Sequence, residues 1–355
     1  MPRSYSLFLI AALFGGGWYF TTGPGAGKLG QILTTAQQQG GFGQQAPAGY
    51  YPQQYQNGQP ATSYPTTYTP PAAPPPTPLQ GGPAIRIASF NIQVFGDSKA
   101  ANQPVMWTLA TIIRNFHVVA IQEIRTQDDY FLDNFLRNYV NREGRYYDKV
   151  VGPRLGRSNS KEQYAFLYDT AAIEVNRNSI YTVNDPDDLL HREPLVAMFR
   201  VRGLPPQEAF TFVLIDIHTD PDETDTELDA LGQVYQAVRR TSGGEDDIIL
   251  LGDLNVDDQH LGQLGRLDGV RSVVRGVFTN TRQTALYDNI VLHQPSTSEF
   301  TGRWGVFNYQ QLYKLTPEQA LQVSDHLPIW AEFNAYEGAA PGRVAGRPDA
   351  AIRAQ

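Results

Sequence analysis

Hydrophobic and polar positions repeat with two different periods along the chain, and over one long stretch with none. From Ala84 onward come short runs rich in β-branched and aromatic residues: "AIRIASFNI", "VVAIQ", "YAFLY", "PLVAMFRV", "FTFVLIDIH", "DIILLGDLN", "YDNIVL" and "PIWAEF". Each has the length and composition of a strand buried on at least one face. Between them the spacing changes to three and four. Pro104 to His117 brings Val105, Leu109, Ile112, Ile113 and Phe116 to one helical face, and Asp128 to Tyr139 predicts a second amphipathic helix. Thr224 to Arg240 predicts a third, carried by Leu228, Leu231, Val234, Tyr235 and Val238. A short helix opens at Thr316, with Pro317 in its first position. Strands outnumber helices and interleave with them. This predicts one α/β domain, over 83–335, with its sheet layers flanked by helices.

The remaining segments lack such patterns. Gln31 to Gly82 is built of Gln, Gly, Pro, Ala, Thr and Tyr, and buries too little apolar surface to offset its ordering entropy, so 23–82 is expected to be a disordered linker. Residues 1–22 place Arg3 before an apolar run, the pattern of an export signal or of a retained membrane anchor. A linker directly after it would serve an anchor as a tether, spanning about 45 Å r.m.s.. The protein is thus expected outside the cytoplasm, secreted, periplasmic or membrane-tethered. The tail over 336–355 is expected to be disordered.

Composition narrows the chemistry. The 355 residues contain no cysteine, which excludes disulfides and thiolate metal sites. A net charge of −8 argues against a broadly basic nucleic-acid-binding surface. It leaves room for a nuclease, which needs only a local site. The polar residues at strand ends point to such a site: Asn91, Glu123, His218, Asp253, Asn255, Asp288, and the pair Asp325 and His326 before "PIW". In layered α/β folds, strand ends and adjoining loops converge on one rim, where ligands bind. Carboxylate and amide oxygens without thiolates suit Mg²⁺ or Mn²⁺ better than zinc. With two histidines to manage protons, the set fits hydrolysis of a phosphate ester. Each residue also has a structural reading, Asp253 and Asp325 as turn caps among them.

The segments "IASFNIQVFG", "VVAIQEIR", "VGPRLGRSNSKEQYAFLY", "HREPLVAMF", "IDIHTDP", "LLGDLNVD", "YDNIVL" and "SDHLPIW" together resemble, in order, the endonuclease/exonuclease/phosphatase superfamily and, within it, deoxyribonuclease I. The resemblance implies a four-layer α/β sandwich, two packed mixed β-sheets between helices, and cation-dependent hydrolysis of phosphodiesters. It implies a metal site of Glu123, Asn91, Asp325 and Asp253. His326 paired with Asp288, and His218 paired with Glu162, would handle protons; Asn255, Arg125 and Arg192 would bind phosphate oxygens. Arg192 has an equal alternative in pairing with a neighbouring acid. Asp188 and Glu193 are implied as a Ca²⁺ site. Two departures weaken duplex grip: Gln93 stands where deoxyribonuclease I has an arginine, and Ser160 where it has a tyrosine that enters the minor groove. The segment Gly276 to Leu286 is also shorter than the family loop that carries a second calcium.

The best-supported activity is a non-specific DNA endonuclease acting as a monomer, with DNA as substrate and no protein partner evident. A lipid or small-molecule phosphodiesterase resembling sphingomyelinases is the alternative, disfavoured because no exposed aromatic hairpin is read between the motifs. A non-catalytic surface module is disfavoured by the complete set of site residues.

Overall fold

The computed structural model describes residues 84–142, 144–157 and 161–338. The expected N-terminal segment, the linker and Ser160 lie outside them, as does the tail from 339 on. Tyr336 still bridges Ala209, and the Glu337 amide donates to the Glu208 carbonyl, so the domain runs past the boundary expected at 335. Among the described residues no helix is long and apolar enough to cross a membrane.

In chain order the elements are β1 (Ala84–Phe95), α1 (Asp97–Ala100), α2 (Gln103–Ile113), β2 (Val118–Ile124), α3 (Phe131–Phe135), β3 (Tyr147–Val151), β4 (Gln163–Asp169) and β5 (Ile173–Thr182). There follow β6 (Leu195–Val201), β7 (Thr211–His218), α4 (Thr224–Thr241), β8 (Ile248–Asp253), α5 (Gly262–Arg266), β9 (Val270–Ser272) and β10 (Asp288–His293). The last are β11 (Phe300–Val306), α6 (Tyr309–Leu312), α7 (Pro317–Val323) and β12 (Ile329–Asn334). One sheet has the order β11-β12-β1-β2-β4-β3 and the other β5-β6-β7-β8-β10-β9. Only β1 with β2 and β7 with β8 pair in parallel, so both sheets are mixed.

Alternation along the strands sorts side chains into three cores. Ile87, Ala120, Phe166, Phe199, Leu214, Leu251 and Phe333 pack between the sheets. Outside the first sheet lie α2, α3, α6 and α7, with Leu109, Phe131, Tyr309 and Ala320. Outside the second lie α4 and α5, with Leu231, Tyr235 and Leu264. The stack is therefore helix, sheet, sheet, helix, the four-layer sandwich expected. Each enclosed Leu, Ile, Val or Phe contributes roughly 1.5–3 kcal/mol of transfer free energy.

Local differences from the expected elements have local causes. The helix expected over Asp128–Tyr139 begins only at Phe131, because the Asp128 carboxylate accepts the Tyr130 amide in a turn, and it ends in a π-helical turn over Leu136–Val140. Thr316 forms a full capping box with Gln319 at α7, as its sequence predicts. Four strands have no clear sequence signal: β3, β5, β9 and β11.

Candidate active site

Inward positions grow polar toward one end of the space between the sheets. On β1, Ile85 and Ile87 give way to Ser89 and Asn91; on β2, Val118 and Ala120 to Gln122; on β7, Phe212 and Leu214 to Asp216 and His218; on β8, Ile249 and Leu251 to Asp253. The rim layer gathers around one oxygen, Asp253 Oδ2. It accepts from Asn91 Nδ2 at 2.9 Å and lies 3.5 Å from His326 Nε2 and 3.6 Å from His218 Nε2.

Each imidazole rests on its own carboxylate. His326 Nδ1 is 2.9 Å from Asp288 Oδ2, which also accepts the Thr279 hydroxyl at 2.7 Å. His218 Nδ1 is 2.8 Å from Glu162 Oε1. Such bonds fix ring orientation and leave Nε2 of both rings facing the shared carboxylate. Burial disfavours the charged imidazoles, but Asp288 and Asp253 outweigh it and raise His326 well above its ordinary range. Glu162 and Asp253 raise His218 in the same way. Burial would raise Asp253, yet His326, His218 and the Asn91 amide hold it below the usual carboxylate range. Glu162 likewise falls to about 2 against its burial, through His218, Arg192 and Arg125.

A second group of oxygens lies beside this pair of rings. Glu123, the penultimate residue of β2, adopts φ 61°, a left-handed conformation that a side chain of this size rarely takes. That backbone turns its carboxylate toward the rim: Oε1 accepts from Asn91 Nδ2 at 3.2 Å, and Oε2 from the Val94 amide at 2.9 Å. Asp325 Oδ2 accepts from Gln93 Nε2 at 2.8 Å, and burial with the Glu123 charge raises the Asp325 carboxyl. Asn91 Oδ1 and Asp325 Oδ1 are both enclosed and accept no hydrogen bond. A carboxamide oxygen and a carboxylate oxygen without donors, beside Glu123, form the donor set of a hard divalent cation, so the residues present fit one.

Two glycines let the strands reach this geometry. A Cβ on Gly252 would stand 1.8 Å from the Ile217 carbonyl across the β7–β8 pair, immediately before Asp253. One on Gly96 would stand 2.2 Å from the Arg125 carbonyl. Asn255 adopts φ 51°; its amide donates to Asp253 Oδ1 at 3.0 Å and its Nδ2 to the Thr219 carbonyl at 2.8 Å.

The cationic and calcium residues divide. Arg125 faces the rim, bridging Glu123 and Glu162 at 3.3 Å each. Arg192 does not. It is 5% exposed, and its Nε lies 2.7 Å from Glu162 Oε1 and 3.0 Å from the His218 carbonyl. It forms the acid pair that is the alternative to a phosphate contact, and in that pair it supports Glu162 from below. For the calcium pair, Asp188 Oδ1 is 3.2 Å from Arg157 Nε, and that guanidinium also engages the Asp188 carbonyl and Glu223. Asp188 and Glu193 are not part of any close carboxylate cluster among the described residues. Arg157 thus supplies the positive charge beside Asp188 in this structure.

Some contributors carried little or no sequence signal. Ser89, Gln122 and Asp216 form a hydrogen-bonded layer directly beneath the site: Gln122 Nε2 donates to Asp216 Oδ1 at 2.5 Å and to Ser89 Oγ at 3.1 Å. Burial pushes the fully enclosed Asp216 well above the carboxylate range. An acid inside the apolar run "FVLIDIH" was the readable clue. Lys99 Nζ donates to the Gln322 carbonyl at 3.1 Å, and Asp325 and Glu123 partly offset the burial that lowers it. The segment leading into β10 exposes Val277, Phe278 and Tyr287, with the Tyr287 ring 6.1 Å from that of His326. The exposure of Phe278 and Tyr287 beside the site carries no signal in the sequence.

Two carboxylate-supported imidazoles beside a pocket of oxygens suit the hydrolysis of phosphoric esters. Residues 88–326 match the Endonuclease/Exonuclease/phosphatase family, and the chain belongs to that family as a deoxyribonuclease I-like member. Deoxyribonuclease-1-like 1 of Sus scrofa is 34% identical over 266 residues, covering 72% of this chain and 82% of the relative. Deoxyribonuclease gamma of Homo sapiens is 33% identical over 262 residues, covering 69% and 85%. Among solved structures, humanized D. rerio TDP2 shares the fold at TM-score 0.50 and 14% identity, covering 71% of this chain and 99% of that one.

Proposed function

We propose that this protein is a divalent-cation-dependent endonuclease that cleaves DNA outside the cytoplasm. The observation that carries the cation dependence is the pair of enclosed, donorless oxygens, Asn91 Oδ1 and Asp325 Oδ1, beside the strained Glu123. Glu123, Asn91, Asp325 and Asp253 would hold Mg²⁺ or Mn²⁺, which when bound neutralises charge on the phosphate oxygens. Arg125 adds a fixed positive charge at the same rim, and Asn255 presents its carboxamide there. His218 and His326 divide the proton work, one accepting from the attacking water while the other returns a proton to the leaving oxygen. Glu162 and Asp288 keep each ring in the tautomer that task needs. Exposed Phe278 and Tyr287 offer aromatic faces on which a base can stack. The relatives named as deoxyribonucleases support DNA as the substrate, and Arg3 with the apolar run from Leu7 to Phe14 supports export.

Hydrolysis of plasmid DNA, RNA and sphingomyelin vesicles by the full chain in Mg²⁺ tests the substrate class. DNA is expected to be cleaved and sphingomyelin left intact; the opposite result would move the protein to the lipid-directed reading.

A further inference from the structure

His326 stands on no helix or strand. It belongs to the turn from Ser324 to Pro328, between the end of α7 at Val323 and the start of β12 at Ile329. A turn is a pliant place to carry a group whose position decides proton transfer. This one is held by three hydroxyls, all on enclosed residues: Ser324 and Tyr309 are 0% exposed and Thr281 is 5% exposed.

The three hydroxyls come from different directions. Ser324 Oγ donates to the Asn91 carbonyl at 2.7 Å and accepts the His326 amide at 3.1 Å, which joins the turn to β1. Thr281 Oγ1 donates to the Ser324 carbonyl at 2.7 Å, and the Thr281 amide donates to the Asp325 carbonyl at 2.7 Å. Tyr309, the first residue of α6, reaches the turn from the helical layer. Its hydroxyl donates to the Ser324 carbonyl at 2.7 Å and lies 3.2 Å from the carbonyls of both Ala320 and His326. Thr281 Oγ1 is 3.1 Å from the same phenolic oxygen. The Ser324 carbonyl has two lone pairs, so both hydroxyls can donate to it together. Burial pushes the Tyr309 phenol up, which keeps it a donor.

Core packing does not require this hydroxyl. The Tyr309 ring packs in the apolar layer outside the first sheet, 6.1 Å from the Phe90 ring, where a phenylalanine would fill the same space. A buried phenol gives up its water, so its hydrogen bond returns little net stability. What the hydroxyl adds is spacing. It draws the backbone on both sides of Asp325 toward one point, and that backbone sets where the His326 side chain begins. Asp288, 2.9 Å from His326 Nδ1, orients the ring but does not place its Cα.

We propose that Tyr309 is a positioning residue: its hydroxyl, with that of Thr281, holds the backbone from Ser324 to His326 so that His326 Nε2 faces Asp253 at 3.5 Å. The placement stands by itself, and its effect on rate rests on the proposed nuclease activity.

Two readouts on the full chain test it. Imidazole nitrogen-15 spectra recorded in EDTA, assigned with His326→Gln and His218→Gln, report placement without any reaction. Tyr309→Phe is expected to shift the His326 signals and to leave unchanged those of His218, which ends β7 outside the turn. Plasmid nicking in Mg²⁺ reports the consequence. There kcat is expected to fall about tenfold or more with KM held within about twofold, since a misplacement of about 1 Å can cost about 10²-fold. Tyr313→Phe, which removes a hydroxyl beside Asn115 in the same helical layer, is expected to match the wild type in both readouts. Unchanged His326 signals or an unchanged kcat in a folded Tyr309→Phe would overturn the proposal. So would equal shifts of His326 and His218, or a fall in kcat matched by Tyr313→Phe, either of which would show a general loosening. A wild type that nicks nothing would contradict the nuclease reading, and the spectra would still decide whether Tyr309 places His326.

Discussion

One strand connects two ends of this molecule that treat the same residue type in opposite ways. Asp253 closes β8 at the active site and Asp247 precedes its first residue at the far pole, and each is 1% exposed. At the active site His326 and His218 face Asp253 and depress its carboxyl below the ordinary range. At the far pole burial, with Glu299, Glu245 and Glu337, pushes Asp247 up to about 9. Burial opposes ionisation at both; the sign of the neighbours decides the result. A buried acid is therefore not by itself evidence of chemistry. What marks the candidate catalytic end is that its acids are matched to imidazoles and a guanidinium, whereas the charged neighbours of Asp247 are acids.

The contrast is broken most severely by removing an imidazole. His218→Ala is expected to lower kcat by about 10²- to 10⁴-fold, the usual range for a lost proton-transfer group. Glu162→Gln, which removes only the support of that ring, is expected to cost less, with a displaced pH profile in steady-state nicking assays.

Next in size is the pH response of stability. Glu162 has a depressed folded pKa of about 2, so its contribution is present above 4.5 and is lost as pH falls through the window from 4.5 to 2. Asp247 has a raised folded pKa of about 9, so the folded state binds the extra proton and stability declines as pH rises from 3.8 toward 9. Thermal unfolding in EDTA is expected to show a Tm maximum between these limbs. Asp247→Asn should flatten the alkaline limb alone, and Glu162→Gln the acid limb alone.

The layer under the active site gives a smaller and more selective effect. Asp216→Asn preserves shape and a neutral group, and is expected to change Tm little. Asp216→Ala leaves the Gln122 amide without that acceptor and should cost about 1–3 kcal/mol in denaturant unfolding. It should also lower kcat more than KM, because Gln122 directly precedes Glu123. Smallest of all is Gln93→Arg, which adds a cation next to Asp325. A few-fold fall in KM for duplex DNA at low salt, vanishing at high salt, is the expected result.

Most of this was legible from the residues, and the exceptions share a cause. The eight strands read from their apolar runs are the eight interior strands of the two sheets. The four unread ones, β3, β5, β9 and β11, are the four edges. An edge strand needs little apolar surface: β11 has no buried residue, and β5 has two in ten. Strand-end positions located the rim because polar residues closing apolar runs are conspicuous. The inward turn of Arg192 and the capture of Asp188 by Arg157 depend on partners distant in sequence, and no spacing reports them. The far acidic pole was unreadable for the same reason, since its members come from segments as far apart as Asp247 and Glu337.

The most direct test of the central claim, that these imidazoles and the open oxygens beside them cleave phosphodiesters, is nicking of supercoiled plasmid by the full chain. Wild type and His326→Ala would be compared in Mg²⁺, in Mn²⁺ and in EDTA. Nicking by the wild type in either cation, abolished by EDTA and reduced at least a hundredfold in a folded His326→Ala, is the result we expect. A folded wild type that nicks in neither cation, or a His326→Ala variant as active as the wild type, would contradict it.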